Sequence, residues 1–111
     1  MVEELIVYQK TYDWLLWLKS AVERFSRAHK YSLGQQLQQE SMLLLRNIIV
    51  ANYRTDKSTT INDCLVQQEI IKVLVRLSKD YSLFTGSQYE FAARQMTEIG
   101  RLLVGWRRKF S

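Results

Sequence analysis

The stretch that most constrains the fold is residues 88–110, QYEFAARQMTEIGRLLVGWRRKF. Tyr89, Ala92, Met96, Ile99, Leu103, Trp106 and Phe110 recur at alternating steps of three and four, which brings them onto one face of a helix. A face of that kind is buried against other helices, so this stretch commits the chain to helix-on-helix packing. Arg94, Arg101 and Arg108 return every seventh residue on a different face. At ~1.5 Å per residue they form a basic stripe roughly 21 Å long. Gly100 and Gly105 interrupt the pattern. Each costs up to about 1 kcal/mol relative to Ala in a helix, which predicts a packing reason such as a close approach by a neighbouring backbone.

Three upstream stretches supply the surfaces this face needs. The first, about residues 4–25, sets Leu5, Tyr8, Tyr12, Leu15, Leu16 and Val22 on one side and Trp14, Leu18, Ala21 and Phe25 on a second stripe, with Trp17 at its edge. Its polar arc (Gln9, Asp13, Ser20, Arg24) is narrow, whereas a helix buried on one side only shows a narrower apolar face. Loops could shield the excess. The stronger expectation is a subunit interface, with Trp14, Trp17, Leu18 and Met42 as its residues.

Residues 26–31 read as a polar connection, and Ser32-x-x-Gln35 as a capping box. The second helix, about 33–53, carries a core stripe of Leu37, Leu44, Ile48 and Ala51, with Met42, Leu45 and Ile49 adjoining. RTDKSTT, residues 54–60, is a turn with Thr59 or Thr60 as the next N-cap. The third helix, about 61–81, is expected to bury Val66, Ile70, Val73, Leu74 and Leu77 with Leu65 beside them. That leaves Lys72, Arg76 and Lys79 as a second basic stripe. Thr85-x-x-Gln88 and Ser87-x-x-Glu90 both fit a capping box for the last helix, about 87–109. Four helices with short connections predict an all-α, up-down-up-down antiparallel four-helix bundle, a single domain over residues 1–111.

Composition narrows the function class. The net charge of +5 favours an anionic partner, either nucleic acid or an acidic protein. Cys64 is the only cysteine, so there is no internal disulfide and a reducing cytoplasm is the natural setting. MVEELIVYQK sets acids before a short apolar patch, unlike a signal peptide, and no apolar run approaches the ~20 residues of a membrane span. A bundle di-metal site needs Glu-x-x-His pairs, and His29 is the sole histidine, so no metal or cofactor is expected. A Cys64–His29 nucleophile pair is arithmetically possible, but Cys64 sits where a small apolar residue suits a helix face. No Gly-rich phosphate loop occurs. Arg24 and His29 have the R-x4-H spacing that resembles the motif of the all-helical HEPN ribonucleases, but they lie at a helix end. That enzyme reading is the minor alternative to a non-enzymatic protein.

A broader resemblance runs along the chain. YQKTYDWLLWL, YSLGQQLQQESMLLLRNIIVANYRTDK, LVRLSKDYSL and SQYEFAARQMTEIGRLLVGW, in this order, resemble the accessory variability determinant (Avd) family. Its most specific pieces are Leu33-Gly34-Gln35, Ala51-Asn52-Tyr53, Gln88-Tyr89-Glu90 and Glu98-Ile99-Gly100-Arg101 with Trp106. The resemblance implies a four-helix bundle assembled as a homopentameric barrel. It also implies a non-enzymatic partner of the reverse transcriptase of a diversity-generating retroelement, binding that enzyme and nucleic acid, RNA or DNA, during mutagenic retrohoming. The bundle proteins encoded in intervening sequences of bacterial 23S rRNA genes are the second candidate. They usually carry Glu-Gly after Asn-Ile-Ala, whereas here Asn47-Ile48-Ile49 leads to Ala51-Asn52-Tyr53.

The resemblance carries Arg101, Arg54 and Lys57 over as candidates for nucleic-acid or reverse-transcriptase binding. Charge and helix face add Arg94, Arg107, Arg108 and Lys109. Phosphate contacts need charge and reach rather than base edges, so the expected binding is sequence-tolerant and salt-dependent.

Overall fold

Apolar spacing and capping divide the chain into four helices: α1 (Ile6–Glu23), α2 (Gln35–Tyr53), α3 (Lys57–Asp80) and α4 (Gly86–Arg108). The computed structural model describes residues 5–110, and no strand occurs among them. The expected start of the first helix at Glu4 lies outside the described residues.

The caps differ from the sequence expectation at two of three junctions. Residues 26–31 are not a loop: a helical turn, Arg27–His29, and a π-helical turn, Lys30–Gly34, run directly into α2. Ser32 therefore lies inside a helical segment, where its hydroxyl donates to the Ala28 carbonyl at 3.0 Å and caps nothing. Before α3 the cap is Asp56, whose carboxylate accepts from the Thr59 N–H at 3.4 Å, while Thr60 donates back to the Asp56 carbonyl. The carboxylate sits earlier in the turn than either threonine and adds a negative charge at a helix N-terminus. Before α4 the ambiguity resolves to Thr85, which forms both halves of a capping box with Gln88, at 3.1 and 2.9 Å.

The helices lie side by side in a body of 43 × 21 × 21 Å, with principal packing pairs α1–α2, α2–α3, α3–α4 and α1–α4. The expected core stripes of α2 (Leu37, Leu44, Ile48 and Ala51) and of α4 (Ala92, Met96, Ile99, Leu103 and Trp106) are buried in one shared apolar cluster, with Tyr89 half-buried against it. Phe110 is the exception on α4, lying beyond the helix end and exposed.

On α1 the buried stripe is Val7, Thr11, Trp14, Leu18, Ala21, Val22 and Phe25, while Tyr12 and Leu16 face outward. Trp14, expected at a subunit interface, is 1% exposed, and its indole N–H donates to the Ser41 hydroxyl at 2.8 Å. Leu18 is likewise wholly buried. Both expectations are corrected, because the four helices converge on these side chains.

The largest correction concerns α3. Its buried face is Ile61, Cys64, Gln68, Ile71, Leu74, Val75 and Ser78, so of the residues expected inside only Leu74 is buried and Leu65 half-buried. Val66, Ile70, Val73 and Leu77 are exposed. Two inward residues are polar but satisfied. Gln68 donates to the Met96 carbonyl at 2.8 Å and Ser78 to its own helix's Leu74 carbonyl at 2.9 Å. Counting apolar residues marks such positions as outward; a hydrogen bond makes them acceptable inside.

Two glycines of the motif pieces have steric roles. A Cβ on Gly34 would lie 2.7 Å from a Val22 methyl and 3.3 Å from the His29 carbonyl oxygen, so the Leu33-Gly34-Gln35 segment owes its seat on α1 to the missing side chain. A Cβ on Gly100 would lie 2.9 Å from the Gln68 amide nitrogen, so the close approach there is by a buried side chain rather than a backbone. Gly105, expected to be a similar point, meets nothing within 4 Å.

Candidate functional site

The basic candidates divide by what already occupies their charge. Lys57 is the most committed. Its ammonium donates to the carbonyls of Ala51, Asn52 and Arg54 at 3.2, 2.7 and 3.0 Å. All three donor protons thus close the C-terminus of α2, where unpaired carbonyls and the helix dipole favour a cation. The Ala51-Asn52-Tyr53 segment and Lys57 form one capping unit across the α2–α3 turn.

Arg107 reaches from the end of α4 to the start of α3, donating to the Asn62 side-chain carbonyl at 2.7 Å. Arg101 forks onto Glu98 on its own helix, at 3.1 and 2.6 Å. Hydrogen bonding from Arg101 holds the Glu98 carboxyl below its usual range, and the same bond holds the guanidinium above its own. The pair is solvent-exposed, so a polyanion can compete for Arg101 by displacing Glu98.

Arg94, Arg101 and Arg108 are all exposed along α4, as their seven-residue spacing predicts. Arg94 has no ion pair or side-chain hydrogen bond among the described residues. Lys109, past the helix end, lines an open groove of about 380 Å³ with Arg101, Leu102, Gly105, Trp106 and the start of α1 at Leu5, Ile6 and Val7. Gly105 leaves that groove open. Arg54 is exposed at the other side of the turn that Lys57 closes.

Sequence reasoning missed Arg46. It shares a cavity of about 280 Å³ with Arg54, Asn47, Thr59 and Thr60, and Asp56 and Asp63 line the same space. The available signal was its place two turns before Arg54 in a segment already singled out for its turn.

The expected second basic stripe on α3 is spent locally. Lys72 pairs with Glu69 at 3.1 Å and Arg76 with Asp80 at 3.4 Å. Lys79 stands 4.6 Å over the Tyr89 ring. These i,i+3 and i,i+4 pairs leave α3 with little net charge.

Among the aromatic candidates, Trp17 is half-buried, with ring centroids 4.9 Å from Phe91, 5.8 Å from Phe84 and 5.4 Å from Trp14. Met42 is 57% exposed on α2. Trp14 and Leu18 belong to the interior, so of the four interface candidates Met42 alone is fully presented to solvent.

The residues of the enzyme alternatives each have other surroundings to account for them. Arg24 caps α1 and is exposed, whereas the His29 ring stacks on Tyr81 at 5.5 Å. Burial pushes the Cys64 thiol up to about 12, with Asp63 adding to the effect, so the thiolate needed for nucleophilic attack is disfavoured. Among the described residues no three His, Cys, Asp or Glu side chains gather where a metal ion could sit. No described helix is long and apolar enough to cross a membrane.

A family model described as bAvd-like matches residues 5–110. No curated protein matches the chain. A solved structure from Bacteroides thetaiotaomicron, a protein of unknown function from the S23 ribosomal protein family, superposes with a TM-score of 0.84 at 19% identity, over 97% of this chain and 99% of the other. At that identity the likeness speaks to the fold alone.

Proposed function

The chain belongs to the bAvd-like family, and on that premise we propose that it is a non-enzymatic accessory protein of a diversity-generating retroelement. In this reading it is an up-down-up-down four-helix bundle that assembles as a homo-oligomeric, pentameric barrel. It binds the retroelement reverse transcriptase and nucleic acid, template RNA or cDNA, through the basic face of α4. The observation that carries the reading is the exposed row Arg94, Arg101 and Arg108 at one-heptad spacing, with Lys109 at its end. Fixed guanidinium groups on a rigid helix suit phosphates at regular spacing, and a helix surface without a base-reading element suits sequence-tolerant binding. Arg54 extends the basic surface at the α2–α3 turn. Lys57 and Arg107 act indirectly, by shaping that turn and tying α4 to α3.

The test is a salt titration of RNA and DNA binding by wild type and by Arg94→Gln/Arg101→Gln/Arg108→Gln. Each lost phosphate contact flattens the slope of log affinity against log salt by roughly 0.7 on single strands or 0.9 on duplex, so the triple variant is expected to lose about two to three units. An unchanged slope with an unchanged fold overturns the polyanion reading. If the same variant then loses the reverse transcriptase, the stripe serves the protein partner alone.

A further inference from the structure

Resting on the oligomeric reading above, we propose that subunits join head to tail: the outer ridge of α3 on one copy seats in the groove between α1 and α2 of the next. The ridge is Val66, Ile70, Val73 and Leu77, one helical row spanning roughly 17 Å at ~1.5 Å per residue, with Val66 61% and Val73 58% exposed. The groove's apolar lining is Tyr12, Leu15, Leu16, Met42 and Leu45, with Leu16 60% exposed, and Lys19 and Gln38 complete its walls.

The two surfaces cannot serve each other within one chain. The main packing pairs join α3 to α2 and α4, and α1 to α2 and α4, so the outward faces of α1 and α3 lie on opposite sides of the molecule. A contact between two different patches is heterologous, and heterologous contacts build rings when the rotation closes.

Size and charge both favour a second copy as the occupant. Each surface offers about 300 Å² of exposed apolar side chain. At the usual ~57% apolar share, the pair implies an interface of about 1,000 Å², the threshold of a specific contact. In a closed ring every subunit makes the contact twice. Copies of a chain with net charge +5 repel, and approach is easiest where charge is locally cancelled. Both surfaces meet that condition. Lys72–Glu69 and Arg76–Asp80 neutralise α3 beside the ridge, and Lys19–Glu23 neutralises the groove rim. The exposed arginine row of α4 lies on neither surface, so this contact leaves it accessible to a polyanion.

The experiment uses Val73→Glu to block the ridge and Leu16→Glu to block the groove, both exposed positions where circular dichroism is expected to match wild type. Multi-angle light scattering at micromolar concentration should give an oligomer for wild type and 13.2 kDa monomers for each variant. An equimolar mixture should give a one-to-one dimer, because each variant keeps the surface the other has lost. Monomers in the mixture, or either variant alone at wild-type mass, overturn the pairing while leaving an oligomer intact. A dimer of one variant alone overturns it in favour of a like-with-like contact. A monomeric wild type overturns the oligomeric reading itself.

Discussion

Gly34 and Gly105 show how one residue type plays two roles within helical backbone. At Gly34 an added methyl meets Val22 at 2.7 Å and backbone at 3.3 Å, and α1 cannot withdraw without opening the core around Phe25. Gly34→Ala is therefore expected to cost about 1–3 kcal/mol through overpacking. Val22→Ala in the same background should recover part of that loss, read as non-additivity in a urea-denaturation cycle. Gly105→Ala meets nothing, and the new residue restores helix propensity worth up to about 1 kcal/mol. Its urea midpoint should rise. Equal effects at the two positions would contradict the steric account. Sequence alone marks every interior glycine of a helix as costly; the distance to a neighbouring helix separates the two cases.

At the scale of elements, helix ends were partly legible and helix rotation was not. The Thr85–Gln88 capping box is a local pattern and appears as spaced. The end of α3 is a different matter. Its last turn closes with Ser82 N–H to Lys79 carbonyl and Leu83 N–H to Ser78 carbonyl, both bonds of a Schellman motif, with Ser82 at φ 60°. That left-handed conformation favours glycine, so Ser82→Gly should stabilise the protein by about 1 kcal/mol. A midpoint rise of several degrees in thermal unfolding is the expected reading; a fall would show that the serine side chain contributes more than its backbone costs. The rotation of α3 escaped the sequence because its apolar residues surround most of the helix. Gln68 can sit inside only because Met96 offers a carbonyl and Gly100 leaves room, two facts supplied by α4.

For the whole molecule, the apolar and basic surfaces sit on different helices and should respond differently to salt. Charge attraction to a polyanion is screened and reversed by counterion competition, whereas apolar burial is not weakened by salt. Raising NaCl from about 0.1 to 1 M is expected to release bound RNA or DNA while the scattering mass stays constant. Dissociation to monomers over that range would mean that charge pairs, not the α3 ridge and the α1–α2 groove, hold subunits together.

What the sequence determined by itself is local or periodic. It specified four helices, the core stripes of α2 and α4, a capping box at Thr85 or Ser87 and the exposed arginine row, because each follows from spacings within one helix or from a few adjacent residues. The tertiary structure decided what depends on two elements meeting. It drew Trp14 inward to Ser41 and clasped Trp17 between Phe84 and Phe91. It also turned Val66 and Val73 outward and committed Lys57 to the carbonyls of α2. The physical reason is common to all of these. A wide apolar face has more than one rotation that buries it, and a lysine has more than one partner within reach. Packing and hydrogen-bond satisfaction from a neighbouring helix select among them.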